Sequence, residues 1–317
     1  MRPLWKDILA AVWLGMIIPG ITLNAFVLKD RQRHVQQIET VQAEVLQEPQ
    51  IPIRDPDGSR TYLPLNQYLT CVLLAEMPAS FHPEALKAQA VAARTYTWKA
   101  FTTGGKHGDG SICTDSACCQ AYISEECYLS GGGTQENLDK IQQAVHSTDP
   151  MVISYEGQLI EATYFSSSGG NTEAALAVWG TDYPYLQSVS SPEPDLMEVT
   201  ITFTPEEFQN LLGSELSINP DQWFDSITYT TGGGVDSVKI GSVVYTGLQL
   251  RSLLSLRSTA FRIQTDGEKI YITSRGYGHR VGMSQHGANA MAAMGKTWQQ
   301  ILQHYYPGTV LHPIDMG

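Results

Sequence analysis

Hydrophobic and polar positions divide the chain into four regions. Residues 8–28, ILAAVWLGMIIPGITLNAFVL, are uncharged and mostly apolar, long enough to cross a bilayer core of roughly 30 Å. Residues 29–59 turn polar, with glutamines at 32, 36, 37, 42, 47 and 50, then Pro52, Pro56 and Asp57-Gly58; this pattern predicts a short helix leading into a turn-rich stalk. From Tyr68, apolar residues recur at helical spacing (Leu69, Val72, Leu73, Ala75) up to Pro78, with Asn66 as the expected N-cap. A second helix is predicted from Pro83, its body rich in alanine at 85, 88, 90, 92 and 93. Helical periodicity returns over 137–147. MVISYEG and QLIEATYF then alternate as two strands joined at Glu156-Gly157.

Residues 198–274 look like a small α+β insert. Strand EVTITF passes into a helix at TPEEFQNLL, where Thr204 caps, Pro205 takes the first position and Glu207 closes a capping box. ITYTTGGGVDSVKI, a short helix near TGLQLRSLLSL and a hairpin of FRIQT and KIYIT around Asp266-Gly267 follow. After a glycine-rich turn, Arg275 to His279, VGMSQHGANAMAAMG predicts a helix, and WQQILQHYYPGT a docking helix with its cap. The expected fold is therefore α+β: a helical hairpin packed with antiparallel strands, carrying the small insert and preceded by an N-terminal transmembrane helix. The tails are 1–7 and 313–317.

Composition changes this picture little. The chain has 317 residues, 42% hydrophobic and 16% charged, enough for a sizeable core. Its net charge of −12 argues against a nucleic-acid partner, and no nucleic-acid motif is present. Arg2 and Lys6 precede the apolar span while Lys29, Arg31 and Arg33 follow it, so charge alone leaves the anchor's orientation open. A cleaved signal peptide is the rival to an uncleaved anchor, without a clear small-x-small cleavage site.

One acid interrupts the apolar hairpin. Glu76 falls in the last turn of its helix, where unpaired carbonyls and apolar flanks both favour the protonated form, the form a general acid needs; the ordinary alternative is a solvated helix end. The Gly-, Ser- and Asp-rich segment that follows the hairpin holds four of the five cysteines. His107, Cys113, Cys118 and Cys119 form a reasonable tetrahedral zinc set, while disulfides among Cys113, Cys118, Cys119 and Cys127 are the alternative outside the cytoplasm. Cys71 reads as a buried thiol. Ser166 and Ser168 of SSSGGNTE could meet a polyhydroxylated ligand, whereas Trp179, Tyr183 and Tyr185 more often pack than stack on sugars. His279 and His286 stand seven apart with no accompanying acid, unlike a zinc-protease pair, so hydrogen bonding by His279 and Gln285 is expected instead. The glycines at 232–234 are too few for a phosphate-binding fingerprint.

EMPAS followed by ALKAQAVAARTY, and GYGHRVGMSQHGANAMAAMGKTWQQILQHYYPGT from Gly276 to Thr309, resemble the two hallmark segments of the stage II sporulation protein D family. SSSGGNTE and VWGTDYPYLQSV resemble it too, so the likeness covers about 60–312. It implies a membrane-anchored lytic transglycosylase that cleaves peptide-stripped peptidoglycan strands, with Glu76 as acid. A single acid suffices because the C6 hydroxyl of muramic acid can attack C1 of the same sugar, whereas most glycosidases need two carboxyl groups. Arg94, Tyr164, Ser168, Arg275, His279 and Gln285 are the expected sugar-positioning residues. The resemblance also implies a structural zinc on a His and a pair of Cys, with Cys118 standing where relatives often have His. It implies a catalytic region outside the cytoplasm in the septal space, and as partners a cell-wall amidase and a multi-pass membrane protein. Rival functions are a non-catalytic amidase enhancer, since relatives include such proteins, and a zinc amidase centred on His107.

Overall fold

The computed structural model describes residues 48–55, 57–193, 197–213, 216–217 and 219–314. The expected anchor, 8–28, and most of the stalk lie outside these residues. Among the described residues no helix is long and apolar enough to cross a membrane.

The stalk expected to run to residue 59 stops earlier. β1 (Gln50–Arg54) already belongs to the folded body: it pairs antiparallel with β2 (Arg60–Pro64) and buries Ile51 and Ile53. Two alternating isoleucines were too short a pattern to stand out beside Pro52 and Pro56. α1 (Leu65–Glu76) follows directly from Pro64 without a side-chain cap. Asn66, expected to cap it, is instead buried within the helix, donating to Asp149 at 3.1 Å. Met77, the residue before Pro78, is extended at φ −130° and ψ 137°, which ends the helix at Glu76.

α2 (Pro83–Thr103) starts at its proline and stops at Gly104, whose φ of +90° suits glycine. Its alanines at 85, 88, 90, 92 and 93 are fully buried, letting α2 pack closely against its neighbours. These are α1, α4 (Gln135–His146), β4 (Met151–Tyr155), α8 (Gln285–Ala293) and α9 (Trp298–Tyr305). Between α2 and α4 lie β3 (Ile112–Cys113), parallel to β1, and α3 (Glu125–Ser130). β4 is flanked by β5 (Gln158–Leu159) and by β14 (Val310–Pro313), both antiparallel.

The second strand of the predicted hairpin is shorter than its alternation suggested. Only Gln158–Leu159 pairs with β4; β6 (Tyr164–Phe165) leaves to pair in parallel with β13 (Met283–Ser284). That pairing also delays α8, which begins at Gln285 with Ser284 as its cap rather than at Val281. A short α5 (Ala175–Trp179) carries the chain toward the insert.

The insert has its own core around Phe208, Trp223 and Leu250. One antiparallel sheet has the order β11 (Phe261–Thr265), β12 (Ile270–Ser274), β7 (Val199–Phe203); another joins β8 (Phe224–Tyr229), β9 (Val235–Ile240) and β10 (Val243–Thr246). α6 (Pro205–Leu212) carries the expected capping box at Thr204 and Glu207, and α7 (Gly247–Leu253) has another at Thr246 and Gln249. The fold is α+β, with Glu76 at the end of α1 where the hairpin meets the C-terminal elements.

Candidate active site

Glu76 opens into a cleft of about 860 Å³. Its Oε1 accepts the Ala121 backbone N–H at 2.9 Å, and its Oε2 the Gln285 side-chain amide at 3.4 Å. Burial raises the carboxyl's pKa and outweighs both hydrogen bonds, which favour the charged form. The α1 terminus, the cysteine-rich loop and the start of α8 thus converge on one carboxyl group held toward its protonated state.

Tyr164, His279 and Gln285 also line this cleft. The Tyr164 hydroxyl accepts from Gln120 Nε2 at 2.7 Å and keeps its own proton to donate. Burial holds that phenol well above its ordinary pKa, and the nearby negative charge of Glu76 adds to the effect. His279 lies against the rings of Phe165 and Trp179, with centroids 5.6 and 5.3 Å away, and its Nδ1 accepts the Val281 N–H at 3.1 Å. Burial lowers its pKa to about 4, the charge of Arg251 helping, so the imidazole is neutral at pH 7. Gly278 makes this close approach feasible: at φ +115°, a Cβ there would lie 2.9 Å from Phe165 Cβ.

Three expected sugar contacts lie outside the cleft. Arg94 is fully buried and donates to the carbonyls of Val145 at 2.8 Å and Thr148 at 3.1 Å, tying α2 to the turn between α4 and β4. Ser168 is fully buried, its N–H and hydroxyl both donated to Glu193 Oε1 at 2.8 and 2.7 Å. Arg275 turns toward Glu198, 3.9 Å away. An alternating polar pattern cannot tell a serine that meets a sugar from one that braces its own loop.

Glu193 is the residue this reasoning missed. Its carboxylate also accepts from Ser167 Oγ at 2.6 Å, Gly169 N at 3.2 Å, Ser191 Oγ at 3.2 Å and Ser284 Oγ at 2.5 Å. It therefore pins the serine loop to the cap of α8, one residue before Gln285. Ser167 and Ser168 of the serine run signal that an acceptor is needed, but nothing in the run says which acid supplies it. Glu161 is a second carboxylate in the lining, neutralised by Lys99 at 2.6 Å.

His107, Cys113, Cys118 and Cys119 each present one donor atom within 4.8 Å of the others. His107 Nε2 lies 3.5 Å from Cys119 Sγ and 3.9 Å from Cys118 Sγ, and the two sulfurs are 3.8 Å apart. Bond lengths of about 2.0–2.3 Å in a tetrahedron separate such ligands by about 3.5–3.8 Å, so the set fits zinc. The N–H groups of Cys118 and Cys119 both bond to the carbonyl of Asp115, a turn that aims adjacent thiols at one point. All five cysteines are free thiols, so the disulfide alternative is not realised. His279 and His286 do not cluster with a third ligand among the described residues.

Comparison with known proteins gives one coherent set of similarities. A family model described as Stage II sporulation protein matches residues 58–155. Stage II sporulation protein D of Bacillus subtilis is 40% identical over 274 residues, covering 84% of this chain and 79% of that protein. The protein of the same name from Bacillus amyloliquefaciens is 38% identical over the same shares. The amidase enhancer of Bacillus subtilis is 30% identical over 299 residues, 76% of this chain and 39% of that protein.

Proposed function

The chain belongs to the stage II sporulation protein D family, a family of sporulation proteins, and we propose that it is a lytic transglycosylase of peptidoglycan glycan strands. The observation that carries this reading is one acid of the cleft: Glu76, held toward its neutral form while the other carboxylate of the lining, Glu161, is paired with Lys99, shares the cleft with Tyr164, His279 and Gln285. In the proposed step Glu76 gives its proton to the glycosidic oxygen as the C1–O bond of muramic acid breaks. The C6 hydroxyl of the same sugar forms the new bond to C1 and passes its proton to the Glu76 carboxylate. The products are a 1,6-anhydro end and a free hydroxyl, with no water added and the acid restored. Tyr164 and the neutral His279 are hydrogen-bonding groups that orient the sugar, and Gln285 orients the acid.

Zinc on His107, Cys113, Cys118 and Cys119 would be structural, because four protein ligands leave no open position for a water. Those residues carry the loop whose Ala121 N–H holds Glu76. We further propose that residues 8–28 anchor the protein in the cell membrane as a single span, with the cleft in the septal space outside the cytoplasm. A cell-wall amidase that strips the strands and a multi-pass membrane protein are the proposed partners. The second reading, a non-catalytic wall-binding amidase enhancer, is favoured by the similarity to the Bacillus protein of that name.

Mass spectrometry of peptide-free strands incubated with the protein separates the two. Anhydromuramic ends that vanish with Glu76→Gln are expected. Amidase stimulation that survives Glu76→Gln, with no anhydro product from the parent protein, would establish the enhancer instead.

A further inference from the structure

Aromatic side chains around the cleft are of two kinds. Most are packed: Tyr183 lies 5.6 Å from Tyr185 between ring centroids, Tyr185 meets Tyr155 at 5.4 Å, and Phe165 is buried against His279. Trp179 and Tyr277 line the same cleft yet are 42% and 50% exposed, more than any other aromatic residue of its lining. Apolar surface left to water inside a cleft favours a ligand that covers it.

Both rings are held in place by the protein itself. Trp179 closes α5, which Gly180 ends at φ +71°, and its ring lies 5.3 Å from that of His279. Tyr277 stands between Gly276 at φ +73° and Gly278 at φ +115°; its N–H donates to the Ser167 carbonyl at 2.7 Å, and its carbonyl accepts the Ser167 N–H at 3.1 Å. Arg257 lies over one face of the Tyr277 ring, 4.9 Å from its centroid, so the exposed surface belongs to the other face and the edge. Side chains fixed in advance lose little freedom on binding. From the acid to these rings the cleft wall is continuous. Ala121 holds Glu76 and its neighbour Gln120 holds Tyr164; Phe165 follows Tyr164 on β6, and His279 touches both Phe165 and Trp179. Trp179 is thus displaced from Glu76 along the wall, and about 860 Å³ leaves room for more than the one sugar whose bond is broken.

We propose that Trp179 and Tyr277 form an aromatic subsite that receives a pyranose ring of the strand next to the sugar whose bond is broken. The proposal rests on the peptidoglycan reading of the cleft. A β-linked N-acetylhexosamine carries its hydroxyls around the rim and C–H bonds, slightly positive, on its faces. Such a face fits the negative face of an aromatic ring while the hydroxyls stay in water. Stacking of the neighbouring sugar on α5 and the 275–279 turn sets the register of the strand, and so brings one glycosidic oxygen to Glu76. Trp179 and Tyr277 are therefore substrate-binding residues that touch no reacting atom.

Binding measured without turnover tests this. The full chain bearing Glu76→Gln is titrated calorimetrically with a peptide-free GlcNAc–MurNAc tetrasaccharide. Adding Trp179→Ala should weaken binding about tenfold and adding Tyr277→Ala about threefold, while Trp179→Phe and Tyr277→Phe should recover most of each loss. Both losses should persist in 1 M salt, since stacking is not screened as a charge pair is. Tyr229→Ala, at a 56% exposed ring outside the cleft lining, should change nothing. In NMR spectra, ring protons of the tetrasaccharide bound to the Glu76→Gln protein should move upfield under the aromatic ring currents, and Trp179→Ala should abolish that movement. Unchanged affinity in folded Trp179→Ala and Tyr277→Ala proteins overturns the subsite. So does the absence of upfield movement with the Glu76→Gln protein, whatever becomes of the alanine variants, and so does its failure to bind the tetrasaccharide. Anhydro ends from the parent alongside affinities indifferent to Trp179 and Tyr277 remove the subsite alone. Affinity that depends on Trp179 while the parent makes no anhydro ends supports the subsite and defeats the transglycosylase reading alone.

Discussion

At Glu76 the folded-state pKa lies above the unfolded value, because burial outweighs the hydrogen bonds from Ala121 and Gln285. The native state then holds a proton that the unfolded chain releases, so stability falls as pH rises from the unfolded value through the folded one, and the penalty remains in full above both. Glutamine can accept from Ala121 without titrating. Glu76→Gln should therefore melt at the same or a higher temperature than the parent at pH 7–8, with the two melting curves converging below about pH 4, while all strand cleavage is lost. Parent activity should decline as pH rises through the raised pKa, the general acid being consumed. Glu193 has the opposite sign: burial alone would raise its pKa, but the donors, Ser167 first, lower it overall. Its stabilisation is present above the unfolded value and lost as pH falls through the folded one. Glu193→Gln places amide hydrogens against hydroxyl and N–H donors and should lose about 2–4 kcal/mol at pH 7 by urea denaturation, the gap to the parent shrinking below about pH 4.

At the scale of elements, the cysteine-rich loop matters because Gln120 and Ala121 reach Tyr164 and Glu76 from the same turn that carries Cys118 and Cys119. One zinc per chain is expected by mass spectrometry of the native protein. Cys118→Ser should weaken metal affinity by at least about tenfold, the loss usual for an outer-shell partner. Chelation should lower the melting temperature and the cleavage rate together. This loop was legible from sequence as a set of ligand types, as were Pro83 at the head of α2 and the capping box at Thr204, because each depends on chemistry a few residues apart. Asn66, the length of β5 and the start of α8 were not legible. Their outcomes are set by partners far along the chain: Asp149 for Asn66, and the parallel pairing of β6 with β13 for the other two. Glu76 with Tyr164, His279 and Gln285 could be gathered from motifs. Glu193 could not, since nothing local distinguishes it from a solvated acid, and Arg94 was misplaced because a buried arginine and a sugar-binding one look alike in a helical pattern.

Over the whole described body, a buried ion pair outside the insert, Glu173 with Arg280, hydrogen-bonds to the insert's 230–234 turn. Arg280, at φ +66°, donates its Nε to the Ser168 carbonyl at 2.8 Å and Nη2 to those of Asn171 at 2.8 Å and Gly232 at 2.7 Å; its Nη1 meets Glu173 Oε1 at 2.9 Å. Glu173 also accepts from Gly234 N at 2.9 Å and Thr230 Oγ1 at 2.8 Å, and both charged side chains are only 1% exposed. Two of the insert's three glycines, Gly232 and Gly234, are therefore a seat for this pair: a Cβ on Gly232 would lie 2.6 Å from the Glu173 carboxyl carbon. Breaking one side of a buried pair leaves an uncompensated charge, a loss of about 3–5 kcal/mol, whereas an exposed pair contributes about 0–1 kcal/mol. Glu173→Gln should thus destabilise strongly and Lys239→Ala hardly at all. Because the pair bridges the insert and the helical body, its loss should also uncouple them: calorimetry of the parent should show one cooperative transition, and Glu173→Gln two, the insert melting first. A Glu173→Gln protein that melts in one transition, no lower than Lys239→Ala, would show that the cores are coupled by some other contact.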